Sequence, residues 1–231
     1  MPSNAVSAAL VHGAWADGSS WSKVIDLLAA DGVKTVAAPL PLTSFSDDVA
    51  ALDRTLERLE GPIVLAGHAY AGAVIAATRN ARVKSLVYIA ALAPDEGETV
   101  ADVFYRVEPH PQAPKLAPDN HGLIYLPDEA FAGAFAPNAS AREQAVLAAV
   151  QRPLSPACIT AAVGRPLWKD RPSWYLLAEQ DRLIVRDNQL FMAQRMKARI
   201  HAHAVDHTPI VTAPQLVLEV LREAIRVAGA D

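Results

Sequence analysis

Small apolar residues, several of them β-branched, run from Ala5 to Val11 and stop at His12-Gly13, the pattern of a buried strand that ends in a loop. The period then changes. Trp21, Val24, Ile25 and Leu28 recur at helical spacing, with Ser19 and Ser20 as caps and Asp31-Gly32 as the stop, and Val33 to Ala38 reads as a second strand. Behind a capping Ser46, Val49, Leu52, Leu56 and Leu59 form a helical stripe that Gly61-Pro62 closes. Its first turn carries Asp47 and Asp48, where the helix dipole favours negative charge. Ile63 to Ala66 is a short apolar strand, Val74 to Thr78 a helix-compatible run, and Val83 to Ala90 another strand. Alternation resumes with a strand at Ser173 to Ala178, then a helix from a capping Asp187 to Lys197. Ile200 to Val205 is a further strand, and Pro214 opens a final amphipathic helix.

Between these two stretches the texture differs: residues 94 to 172 hold 11 of the 17 prolines. Proline interrupts long helices, so this segment predicts a cap of short helices and turns over a pocket, inserted in a core made of 1–93 and 173–231. The strand-helix alternation of that core predicts an α/β class with a mostly parallel sheet and helices on both faces. Such sheets place their sites at the carboxyl ends of strands.

Composition narrows the function. A chain of 231 residues, 52% hydrophobic, suits one domain carrying an insertion. Twenty-one basic against 25 acidic residues give a net charge of -4 with no basic run, which argues against nucleic acid as a partner. Cys158 is the only cysteine, so no disulfide forms within the chain. Met1-Pro2-Ser3-Asn4 lacks a basic flank and a long apolar stretch, and polar residues interrupt every hydrophobic segment. The expectation is a cytoplasmic protein, off the membrane, that takes a small-molecule substrate; a homodimer is compatible with the sequence.

The chemistry-bearing residues gather at four strand ends. His12-Gly13-Ala14-Trp15 follows the first strand, Gly67-His68-Ala69-Tyr70-Ala71-Gly72 lies between a strand and a helix, and Asp181 and His207 follow two later strands. This order resembles the α/β-hydrolase fold, in which a nucleophile elbow, an acid and a histidine come in that sequence. His12-Gly13-Ala14-Trp15, and Trp168-Lys169 before Ser173-Trp174-Tyr175-Leu176, resemble the small bacterial α/β hydrolases related to esterases and plant hydroxynitrile lyases. The resemblance implies that His207 accepts the nucleophile's proton while Asp181 holds its tautomer, with Asp95 as a fallback acid and Asp206 as a turn residue. It also implies an oxyanion hole from the backbone N–H groups of Ala14 and Tyr70. Trp15 and Tyr70 are candidates to line the pocket, and His12 and His68 match family positions flanking the site, where they either line the pocket or shape its backbone.

The chain departs from the family's Gly-x-Ser-x-Gly elbow, with Ala69 in place of the serine and Ala71 in place of the last glycine. A methyl group cannot attack a carbonyl. In a protease precedent, losing the serine costs about 10⁶ in turnover. Cys158 reads as a small buried hydrophobe, and Ser19 and Ser20 as helix caps, so none is the expected replacement nucleophile. His201, His203 and His207 share strand alternation but lack further ligands at zinc spacing, so no metal is expected. The Gly-x-Gly-x-x-Gly and P-loop patterns are absent, so no nucleotide cofactor is expected either. Three readings of Ala69 follow: an esterase-like hydrolase whose serine has been exchanged, a serine-free lyase or other general acid-base enzyme, and a non-catalytic module that binds a small ligand.

Overall fold

In the computed structural model, which describes residues 5 to 230, six strands form one sheet. They are β1 (Ser7–Val11), β2 (Lys34–Ala38), β3 (Ile63–His68), β4 (Val83–Ile89), β5 (Ser173–Ala178) and β6 (Arg199–His203), in the order β2-β1-β3-β4-β5-β6. Every pairing is parallel. Every residue of β1, β3 and β5 is buried, which explains their unbroken apolar runs: a parallel strand covered on both faces has no need of polar alternation. The edge strands β2 and β6 start with exposed Lys34 and Arg199, charges that discourage pairing with another chain. Met1 to Asn4, the segment without a signal-peptide pattern, lie outside the described residues.

Helices α1 (Ser22–Ala30) and α10 (Pro214–Ala228) pack together on one face of the sheet, and α2 (Phe45–Leu56) and α3 (Ala71–Ala77) pack together on the other, where α8 (Arg186–Arg195) covers β5. Ser85 and Tyr88 of β4 show the two faces. The Ser85 hydroxyl lies 3.5 Å from Ala224 O of α10, whereas the Tyr88 ring lies against Gly72 of α3, and odd separations on a strand point to opposite sides. On α10 the stripe Val217, Leu218, Val220, Leu221 and Ala224 is buried; each large aliphatic contributes about 1.5–3 kcal/mol.

Between β4 and β5 lie the short helices α4 (Val100–Phe104), α5 (Asp128–Ala130), α6 (Ala141–Val150) and α7 (Ala157–Thr160), with two isolated bridges, Thr99 to Ala162 and Ile124 to Leu154. A last short helix, α9 (Pro209–Thr212), precedes α10. Among the described residues, no helix is long and apolar enough to cross a membrane.

The helix starts differ from the expected ones. Ser44, not Ser46, caps α2: its extended backbone lets the hydroxyl accept from Asp47 N at 3.1 Å, while Ser46 already lies inside the first turn. Asp17 replaces Ser19 and Ser20, accepting from Ser19 N at 2.8 Å and opening a single tight turn, Gly18–Trp21, ahead of α1. Asp187 sits in the first turn of α8, where it meets the dipole, and the capping position is Val185.

Candidate functional site

Four non-glycine residues with positive φ follow strands at the carboxyl edge of the sheet: Trp15 (56°) beyond β1, Leu42 (60°) beyond β2, Ala69 (50°) after β3 and Ala90 (45°) after β4. Each such residue costs about 1–3 kcal/mol, and strain of this kind concentrates where a fold presents chemistry. The Ala69 turn is held on both sides. Its N–H donates to Ile89 O (3.2 Å), and its carbonyl accepts from Gly72 N (3.1 Å) and Leu92 N (2.9 Å). A Cβ on Gly67 would lie 2.9 Å from the Ala71 carbonyl carbon, and one on Gly72 would overlap Leu92 O. The turn therefore needs glycine at 67 and 72, while position 71 accommodates a fully buried alanine.

His207 follows β6 and Asp181 follows β5, and the structure brings them together: His207 Nδ1–H donates to Asp181 Oδ2 at 2.8 Å, with both side chains buried. A carboxylate this deep needs donors on every lone pair. Asp181 Oδ1 accepts from the N–H groups of Leu183 (2.7 Å) and Ile184 (2.9 Å), and Oδ2 accepts a second bond from Gln189 Nε2 (2.9 Å). With the proton held on Nδ1, His207 Nε2 keeps a free lone pair, the state a general base requires.

Ala14, Trp15, Ala69, Tyr70 and His207 border one cavity of about 90 Å³. Its other walls come from Leu92, Leu183, Ile184 and residues between β4 and β5, such as Phe104, Ile124 and Leu154. The Trp15 indole N–H is spent on Ile124 O (3.0 Å) and the Tyr70 hydroxyl on Asp48 Oδ2 (2.7 Å). Of the polar side chains at the strand ends, His207 is thus left as the reactive group facing a largely apolar space, which Tyr105 borders from the segment between β4 and β5. Among the described residues, neither the Ala14 N–H nor the Tyr70 N–H is donated to a protein acceptor.

Beneath Tyr70, the buried Asp48 carboxylate also accepts from Leu42 N (2.7 Å), and burial raises its affinity for a proton. Burial, with the Asp48 charge next, pushes the Tyr70 phenol upward. The Cys158 thiol beside them is pushed up to about 12, mainly by burial, the reverse of what a nucleophilic thiolate needs.

Residues 9–220 match the model of the alpha/beta hydrolase family. This chain belongs to that family. Among curated protein sequences nothing matches. Among solved structures, this alpha/beta hydrolase is similar to polyneuridine aldehyde esterase, at 17% identity over 96% of this chain and 99% of that one, with a TM-score of 0.78. It is also similar to a pyrethroid hydrolase from Sphingobium faniae JZ-2, at 18% identity over 98% and 100%, with a TM-score of 0.80. A methylesterase from Arabidopsis matches at 16% identity over 96% and 99%, with a TM-score of 0.78.

Other expected residues of this hydrolase-family chain lie apart from the cavity. His12 and His68 do not border it. His12 is a buried strut whose Nδ1–H donates to Gly13 O (2.9 Å) and whose Nε2 accepts from Leu40 N (3.0 Å), and burial lowers its pKa to about 4. His68 Nε2–H donates to the backbone carbonyl of His207 (2.8 Å), and burial lowers its pKa to about 3. Asp95, the fallback acid, is half-buried and pairs with Lys169 at 2.5 Å, so it is unavailable to His207. Asp206 turns the chain by accepting from Thr208 N (3.2 Å) and also ties in Asn138 N (2.9 Å). Ser19 and Ser20 both donate to Asp17. His201 lies on edge strand β6 against Glu223 (3.4 Å), and among the described residues no three His, Cys, Asp or Glu side chains are grouped to hold a metal.

Gln189, Asp48 and the tie made by His68 were missed. Polar residues on helices α2 and α8 look like surface positions in the sequence, and only burial shows otherwise.

Proposed function

We propose that this chain carries the binding and acid-base machinery of an esterase for small, largely apolar esters, with a methyl group at Ala69 where the attacking hydroxyl belongs. One observation carries the reading: His207, Ala69 and the backbone of Ala14 and Tyr70 border the same apolar cavity. An acyl carbonyl entering that space would accept from the two undonated N–H groups, the arrangement of an oxyanion hole, beside the imidazole. The segment between β4 and β5 acts as the cap that excludes water and selects apolar groups.

With serine at position 69, His207 Nε2 takes the hydroxyl proton as Oγ attacks, then returns it to the departing alcohol; water and the same base release the acid. With alanine, His207 can only orient water towards the held carbonyl. The test is paired. The chain as it stands and its Ala69→Ser form are mixed with short aryl esters, following the product burst and the mass of the protein. A burst and an acyl adduct in the serine form alone supports the reading, and His207→Ala in that form should abolish both. Absence of acylation in both forms overturns it.

A second reading is favoured by the pairing of His207 with Asp181, which is complete without any hydroxyl. The pair could then move a proton next to a substrate carbonyl, as a serine-free lyase would. In that case the chain as it stands turns over a carbonyl compound, and His207→Ala removes the activity.

A further inference from the structure

His68 is fully buried, directly precedes the elbow position and borders no part of the cavity, yet it touches both sides of the site. One edge of its ring donates Nε2–H to the His207 carbonyl at 2.8 Å, and its ring centroid stands 4.8 Å from that of His207. The opposite edge faces the loop after β1, where a Cβ built on Gly13 would lie 3.2 Å from His68 Nδ1. Because a carbonyl only accepts, the neutral ring carries its proton on Nε2, so Nδ1 is a buried lone pair with no partner among the described residues. A buried acceptor left unpaired is unfavourable, and an apolar side chain of the same shape would avoid that cost. Phe135 packs against the other ring, 5.4 Å from His207 and 6.3 Å from His68, so the imidazole of His207 is wedged in place.

We infer that His68 is a positioning residue: its Nε2–H fixes the backbone of His207 and thereby aims the imidazole, while its far edge sets the distance to the Gly13-Ala14 loop. The inference rests on the esterase reading for its effect on catalysis and on geometry alone for its effect on His207. His68 remains uncharged through the working range, so it adds no like charge when His207 takes up a proton.

Two variants separate donor from shape. His68→Gln can place an amide N–H near the Nε2 position, whereas His68→Leu fills space and donates nothing. The first readout is the low-field proton resonance of His207 Nδ1–H in the chain as it stands, which needs no activity. It should persist in His68→Gln and broaden or vanish in His68→Leu at unchanged far-UV circular dichroism. The second readout, in the Ala69→Ser form, should show a kcat loss of about 10²-fold for His68→Leu with KM little changed, and recovery to within about tenfold for His68→Gln. If His68→Leu does not fold, His68→Asn, whose shorter amide cannot reach the His207 carbonyl, takes its place with the same expectation. A folded donor-less variant that keeps the resonance overturns the inference. So does a His68→Gln variant that loses the resonance as completely as His68→Leu. An inactive Ala69→Ser form with the resonance pattern as expected counts against the esterase reading and leaves the positioning role standing.

Discussion

On one side of the cavity, the loops after β5 and β6 hold Asp181 with four donors and His207 with its carboxylate partner, and each polar atom of the acid is satisfied. On the other side, the turn after β3 keeps its strained backbone, its two required glycines and the free N–H of Tyr70, joined by that of Ala14 in the loop after β1, yet it presents a methyl group. The first side is a network of side chains, so its chemistry and its geometry are the same atoms. The second side is built from backbone, so its geometry does not depend on which side chain stands at position 69. A single side chain can therefore be exchanged there without dismantling the turn that carries it.

The largest test of that contrast joins both halves. In the Ala69→Ser form, Asp181→Asn should lower kcat by about 10⁴, because an amide offers His207 Nδ1 a donor in place of an acceptor and so favours the wrong tautomer. Steady-state ester cleavage measures it, and a loss under tenfold would mean that the side-chain network is not what activates the base.

A smaller effect probes the backbone half alone. Gly72→Ala forces a Cβ into the Leu92 carbonyl, and because the obstacle is backbone the turn must shift, costing about 3 kcal/mol in urea unfolding. Ala71→Gly, one residue earlier, should cost about 1 kcal/mol or less, the ordinary helix-propensity difference at a position with no special conformation. Equal losses at the two positions would remove the distinction drawn between them.

How far the sequence displays this arrangement depends on the kind of residue involved. The core strands are legible because parallel strands buried on both faces are apolar along nearly their whole length, as in Ile63 to Ala66 and, after its first residue, Ser173 to Ala178. Asp181 and His207 stand out by chain order, Asp181 following the buried strand β5 and His207 the edge strand β6, and they lie 2.8 Å apart. Gln189 and Asp48 are illegible for the opposite reason: each sits on a helix, where a polar residue signals solvent unless tertiary contacts bury it. Helix starts misled for a local reason. Near Ser44 and Ser46, or Asp17, Ser19 and Ser20, several residues can cap, and which one does is decided by backbone angles that composition does not encode.

The last test concerns protons, and it again falls on the backbone half. His12 holds the loop after β1 as a neutral ring, its Nε2 accepting from Leu40 N, and its pKa is lowered to about 4 from 6.5. The unfolded chain therefore binds the proton first as pH falls. The stability due to a neutral His12 is complete above pH 6.5 and is lost on the way down to about pH 4, where the folded ring also protonates. Within that window the loss is at most about 1.4 kcal/mol per pH unit for this one group. His68, lowered to about 3, adds a similar slope that continues further into acid. Urea unfolding at pH 6.5, 5.5 and 4.5 should show this decline, and His12→Asn should remove close to one proton's share of the slope while leaving that of His68. If the slope is unchanged, His12 takes up protons freely in the folded chain, and the loop that presents the Ala14 N–H must be held by something other than this ring.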